Sequence, residues 1–287
     1  MAFGNRLIHT QEEGGGGGVL LDINNFNFAG RTTIDPSETG SYTSTGGAFG
    51  NNGTIFYANI EYPLGFIYQY SLSTPYDITT RSYVTQFSFP EYLQNLRVID
   101  SSNFVVYMTI SGVALHRFYT MTNWNISTAV ATSNELNAST LNALNNNAST
   151  RGVMFNEDGT KAMVRGWVSN TELSLASFNL STPYNLSDLT LGNRIGLSSL
   201  LNVPEARGLN GYSNGTSTIL GTFGNGAYIY NVQTTNWDAS TASVYQTLNI
   251  GSSQGITNMP NLNFYPDQNI MLGGIEPSIY VTVDYIP

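Results

Sequence analysis

The 287-residue sequence predicts an all-β fold made of five similar units, and three observations predict it. Short runs rich in Tyr, Phe, Val and Ile, such as Thr54-Ile55-Phe56-Tyr57-Ala58 and Phe104-Val105-Val106-Tyr107-Met108, are broken by Asn-Gly and Asp-Gly turns. That is the pattern of short strands joined by tight hairpins. A corner motif recurs: Tyr70 to Thr80 aligns with Phe118 to Thr128, Phe178 to Ser187 and Gln233 to Thr241, and its aromatic falls at Tyr76, Trp124, Tyr184 and Trp237, in steps of 48, 60 and 53. A turn marker precedes the corner in each unit, at Asn51-Asn52-Gly53, Asp158-Gly159, Asn214-Gly215 and Asp267, with steps of 56 and 53 between the last three; Asp100-Ser101-Ser102 stands where the remaining copy belongs.

Each unit therefore reads in order as a strand, a tight turn, a second strand, a variable loop, a third strand ending at the corner, and a last strand. Four strands in about 50 residues make a propeller blade. The units start near residues 45, 96, 151, 207 and 260, and the fifth reaches Pro287 after Ile279-Tyr280-Val281-Thr282-Val283 with only three strands. A strand from Val19 to Ile34 is expected to supply the fourth and close a five-bladed β-propeller, which removes the edges an open sheet exposes. An open β-solenoid is the alternative. Residues 1–18, ending in Gly14 to Gly18, have too much backbone freedom to hold a structure alone and read as an attachment tether. Residues 19–287 read as one domain. Ser133 to Asn147, with Leu136, Leu141 and Leu144, is the one helix-compatible stretch and reads as a surface excursion.

Composition narrows the function. Charged residues are 10% of the chain, against roughly 25% in an ordinary soluble domain. Ten Lys plus Arg, of which Lys161 is the one Lys, stand against 19 Asp plus Glu, for a net charge of −9. Phosphate backbones are held by clustered Lys and Arg, so a nucleic-acid partner is not expected. The absence of Cys excludes disulfides, thiolate zinc sites and cysteine nucleophiles. Met1 to Thr10 carries no signal-peptide pattern, and no run approaches the 18 apolar residues of a membrane helix, so membrane insertion is not expected.

Catalytic residues are sparse. His9 lies in the leader, and His116 occupies a strand position that sister units fill with Tyr68 and Ala176, so nothing supports a triad or a zinc site. The innermost strands should be those before the turn marker: Thr45 to Ala48, Leu96 to Val98, Arg151 to Met154, Arg207 to Leu209 and Asn261 to Asn263. None contains Asp or Glu, and Asp100 and Glu205 only flank them, which is short of the paired carboxylates of glycoside hydrolysis. No enzyme activity, cofactor or metal is expected. The recurring Asp158, Asn214 and Asp267 suit the turn backbone and read as turn residues before calcium ligands.

Two sets remain as candidate ligand-binding residues. Arg151 and Arg207 are one unit step apart, and Arg97 falls within one or two places of the corresponding position, so the three read either as an anion-binding ring at one end of the channel or as braces between blades. Tyr76, Trp124, Tyr184 and Trp237 read either as sugar-stacking platforms, one per blade, or as aromatic plugs between neighbouring blades.

The corner at Leu72 to Thr80 and Leu180 to Ser187 resembles a repeat ending in Leu-Ser-Thr-Pro-Trp-Asp-Ile-Ser-Thr, common in uncharacterised proteins of marine bacteriophages that are often labelled structural or tail proteins. The likeness covers about residues 45 to 287, although Asn123 and Asn236 replace the proline in two copies. Met1-Ala2-Phe3-Gly4-Asn5-Arg6, followed by the glycine run, is similar to attachment leaders of phage appendage and decoration proteins. The resemblance implies a virion component: a non-enzymatic propeller on the capsid or tail surface, joined to other virion proteins through its leader, and extending to attachment to a host-surface glycan. A lectin-type carbohydrate-binding propeller is the second reading.

Overall fold

The structure is a computed structural model, which describes residues 21–34, 44–60, 65–90, 92–110, 113–137, 149–169, 172–201, 211–221, 228–249, 261–265, 270–275 and 279–285. It is all-β, a propeller arrangement of four-stranded antiparallel sheets. Sheet I holds β2 (Ser44–Gly50), β3 (Ile55–Ile60), β4 (Phe66–Leu72) and β5 (Arg81–Ser88). Sheet II holds β6 (Tyr92–Val98), β7 (Asn103–Ile110), β8 (Val113–Thr122) and β9 (Asn125–Asn137). Sheet III holds β10 (Ser149–Phe155), β11 (Lys161–Ser169), β12 (Glu172–Leu180) and β13 (Leu189–Gly196). Sheet IV holds β14 (Gly211–Ser213), β15 (Ser217–Gly221), β16 (Tyr228–Thr235) and β17 (Asp238–Asn249).

In these four sheets strand order follows chain order. The remaining sheet, V, does not: its order is β1 (Phe26–Thr33), β20 (Ile279–Tyr285), β19 (Ile270–Ile275), β18 (Asn261–Tyr265). β1 pairs antiparallel with β20 from Phe26 opposite Tyr285 to Thr33 opposite Ile279.

First strands pack on first strands, which puts them innermost. β2 lies against β6, β10 against β14, β14 against β18, and β18 and β19 against β2. The cores sit between sheets. Phe104, Val106 and Tyr119 of sheet II pack with Ala48, Tyr57 and Ile67 of sheet I, while Val105 and Phe118 face Val153, Phe155 and Val164 of sheet III. Met154, Met163 and Leu175 of sheet III pack with Leu220, Val232 and Trp237 of sheet IV. Second and third strands are nearly all buried and rich in aromatic and β-branched residues, whereas the last strands alternate half-buried and exposed positions, as the outer strand of a sheet packed from within must.

One sequence expectation changes here. Ser133 to Asn137 is the end of β9, not helix, and Leu136 is fully buried opposite His116; residues 138–147 lie outside the described residues. The helical turn is instead α1 (Leu197–Leu201), whose Leu197 and Leu201 plug the core between sheets III and IV. Arg207 to Leu209 lie outside the described residues, as do the leader 1–18 and Asp267. Among the described residues, no helix is long and apolar enough to cross a membrane.

Candidate functional site

The recurring corner is the most elaborate feature of the chain, and its geometry accounts for its residues one by one. The aromatic residue has a left-handed backbone in every copy: φ is 65° at Tyr76, 64° at Trp124, 58° at Tyr184 and 65° at Trp237. Bulky residues rarely adopt that region, and about 1–2 kcal/mol opposes it. Where proline precedes the aromatic, Asp77 N–H donates to Thr74 O (3.1 Å) and Asn185 N–H to Thr182 O (3.0 Å). Proline's fixed φ followed by a positive φ is a type II turn. Where asparagine precedes it, φ is 47° at Asn123 and 50° at Asn236, so both central residues are left-handed and the turn is type I′. Asn for Pro is thus a change of turn type that leaves the aromatic in place.

The strain is held by contacts with the hairpin turn between the first and second strands. The aromatic's N–H donates to the turn carbonyl in each copy: Tyr76 to Gly53 (2.9 Å), Trp124 to Ser101 (2.8 Å), Tyr184 to Gly159 (2.9 Å) and Trp237 to Gly215 (3.1 Å). The three glycines also have positive φ, and a Cβ on any of them would lie within 2.5 Å of the ring that covers it. Tyr76, Tyr184 and Trp237 therefore sit on the turn glycine of their own sheet, and Tyr184 and Trp237 also pack into the cores between neighbouring sheets. Trp124, opposite a serine, is the exception, and its ring reaches Gly50 of sheet I.

The next residues complete the corner. Asp77, Asn125, Asn185 and Asp238 each accept through Oδ1 from the N–H two residues on, at 2.9–3.1 Å. Hydrogen bonding to Ser240 holds the Asp238 carboxyl below its ordinary pKa. Ile78, Ile126, Leu186 and Ala239 are buried between these polar neighbours. Thr80, Thr128 and Thr241 each cap a carbonyl three residues back while their hydroxyls accept from the N–H of Thr74, Thr122 and Thr235.

A fifth corner escapes the sequence comparison. Leu21-Asp22-Ile23-Asn24 repeats the arrangement: Asp22 Oδ1 accepts from Asn24 N–H at 3.0 Å and Ile23 is fully buried. It leads through Asn25 into β1, as the other corners lead into the last strands of their sheets. Leucine in place of the aromatic hides it. What could have found it is the spacing alone, an acidic or amide residue followed by a buried aliphatic and a small polar residue just before a strand.

Corners are also where neighbouring sheets join. Tyr57 of sheet I donates its hydroxyl to Trp124 O (2.6 Å), and Gln69 Oε1 accepts from Ile126 N–H (2.9 Å). Asn134 of sheet II donates to Tyr184 O (2.8 Å) and accepts from Leu186 N–H (2.7 Å). Asn231 of sheet IV donates to Leu21 O, and Gln246 Oε1 accepts from Ile23 N–H (2.8 Å). The same two backbone groups are caught each time. Asn134→Ala strips both from the third corner, so a loss of about 2–3 kcal/mol is expected, read as a lower urea midpoint with an unchanged slope.

Of the three arginines read as an anion-binding ring, Arg207 lies outside the described residues, and the pairing register compares only Arg97 with Arg151. Thr45, Gln94 and Arg151 are the bulge positions of β2, β6 and β10, so Arg97 matches Met154, three places from Arg151. Arg97 is half-buried beside His116 and Tyr107, and its charge reaches the Tyr184 hydroxyl, whose pKa burial raises. Arg151 lies in β10, and its side chain is outside the described residues. A guanidinium not singled out from the sequence, Arg165, is 1% exposed and braces sheet III to sheet IV by donating to Gly221 O at 3.1 Å.

Asp158 Oδ1 takes hydrogen bonds from Thr160 and Asn156, which hold its carboxyl below the ordinary range, and Asn214 Oδ1 takes Thr216 and Ser217 N–H. These are turn braces. Among the described residues no group of three His, Asp or Glu is placed to hold a metal ion.

No family model and no curated protein matches the chain. Among solved structures it is similar to the β-propeller domain of Cps50 (Swd1) from Myceliophteria thermophila, at 10% identity and a TM-score of 0.43 over 91% of this chain and 100% of that one.

Proposed function

We propose that the five sheets close into a five-bladed ring fastened by β1, and that the protein is a non-enzymatic structural component displayed on the surface of a virus particle. Closure is supported by the contacts at the ends of the chain: β18 and β19 pack on β2, Asn263 donates to Gly47 O at 2.7 Å, and the corner before β1 is seated on sheet IV. The role rests on one observation above all. At each corner the residues of the recurring motif bind one another or the next sheet, so the motif works as a repeat-building device of the kind it resembles in phage structural proteins.

The low charge fits a solvent-facing module that avoids polyanions, and residues 1–18 serve as its attachment to other virion proteins. Attachment to a host-surface glycan belongs to the same reading. A lectin role would fall on Tyr83, Tyr92 and Tyr245, which are exposed, since the corner aromatics are engaged with their turns. The test is mass spectrometry of purified particles from the source culture, with peptide abundance scaled to the major capsid protein. A fixed copy number is expected, in hundreds for capsid decoration or tens for a tail appendage. Absence from the particles, with glycan binding by the isolated chain, would replace this reading with the lectin one.

A further inference from the structure

One histidine stands apart from every role described so far. His116, in the third strand of sheet II, is fully buried, and neither ring nitrogen has a hydrogen-bond partner. A buried polar group without a partner costs roughly 1–3 kcal/mol. The sister positions avoid this cost with Tyr68 and Ala176. His116 lines a small cavity with Asn95, Leu96 and Arg97 of β6, Val105 and Tyr107 of β7, and Val153 of β10, so the cavity lies where sheet II meets sheet III. Its ring packs on Tyr107 at 4.9 Å between centroids.

The charged and titratable groups around it are few. From β6 comes the Arg97 guanidinium, and from β7 the Tyr107 phenol. On its own strand the neighbour is Arg117, whose charge is taken by Glu135 of β9 (Nε to Oε2, 2.9 Å). From sheet III the cavity receives Val153. No carboxylate lines it among the described residues.

We propose that His116 makes the junction of sheets II and III acid-sensitive: its protonation puts a charge into a buried cavity where neither ring nitrogen has a hydrogen-bond partner, and this junction opens before the others. The proton comes from solvent during transient opening, because the closed cavity gives the imidazolium nothing to bond. The direction follows from linkage. Burial pushes the folded imidazole down to about 3 from an ordinary value near 6.5. Its neutral form is therefore compatible with the closed junction above pH 6.5, and stability is lost as pH falls from 6.5 toward 3. Between pH 7 and pH 5 one such group raises the opening constant about 25-fold. Most carboxylates remain ionised over that interval.

Amide hydrogen exchange of the full chain tests this at pH 7 and pH 5, after correction for intrinsic rates. The expected result is a rise of about 25-fold in the opening of β6, β8 and β10, with sheet IV little changed, and a rise of less than about threefold in His116→Tyr and His116→Gln. An equal rise in either folded variant, or a rise spread evenly over the sheets, would overturn the proposal. If both variants fail to fold, the titration of the two histidines in the intact chain decides it. A His116 that protonates near 6.5 without loss of β10 protection contradicts acid sensitivity, and one that stays neutral until β10 loses protection upholds it.

Discussion

A chain lacking residues 1–34 is expected not to fold cooperatively, whereas one lacking residues 1–18 is expected to unfold at the denaturant midpoint of the intact protein. The first truncation removes β1 and leaves β20 as a naked edge along its length. It also strips sheet IV of partners for Ser217, Asn231 and Gln246, which between them hold Leu21, Asp22 and Ile23. A sheet edge and a set of buried polar groups are exposed together, against a total stability on the order of 5–15 kcal/mol. Ile23→Asp asks the same of one residue. A carboxylate at a fully buried position costs several kcal/mol, so loss of the folded state at 37 °C is expected. Equal midpoints for the intact chain and the chain lacking residues 1–34, by circular dichroism and tyrosine fluorescence, would show that β1 and its corner are dispensable.

Gly159→Val is expected to lower stability by about 3 kcal/mol, while Ser101→Ala at the matching turn of sheet II is expected to change it by less than about 0.5 kcal/mol. Gly159 has φ of +70°, and a Cβ there would lie 2.4 Å from the Tyr184 ring. Valine adds the left-handed penalty to the loss of the ring's seat, and Tyr184 also donates its hydroxyl to Glu157 O in that turn. Ser101 carries no positive φ, and the ring of its partner Trp124 turns toward sheet I. A double-mutant cycle with Tyr184→Ala measures the coupling: about 1–2 kcal/mol should vanish once the ring is gone. Additive losses would mean that the ring and the glycine are independent.

How much of this was legible depended on how local the cause is. The corners and turns stood out because each position answers to its own backbone. Positive φ calls for Gly or Asn, the turn brace for Asp or Asn, and the buried place after it for an aliphatic residue. The Leu21 corner did not stand out because its ring is missing and it lies at the other end of the chain from the strands it joins. Matching Arg97 to Arg151 failed for a different reason. Arg97 lies three places beyond the bulge position that Arg151 occupies in β10, and the bulge is visible in the strand pairing and not in the turns by which the units were aligned. The bridging roles of Asn134, Gln246 and Arg165 depend on which sheets become neighbours, and no local pattern encodes that.

Sheet V has a consequence for the order of events during synthesis. Residues 26–33 leave the ribosome about 250 residues ahead of their partner strand, so at about 5–20 residues per second they wait roughly 10–50 s for it. Sheets I to IV can pair and stack in that interval, each on the one before. The fifth assembles only when the two ends meet, late and across nearly the whole chain, which is the costliest kind of contact to form by diffusion. Refolding from denaturant should accordingly end in a slow phase in which the stacked sheets are already protected from exchange and β20 is not.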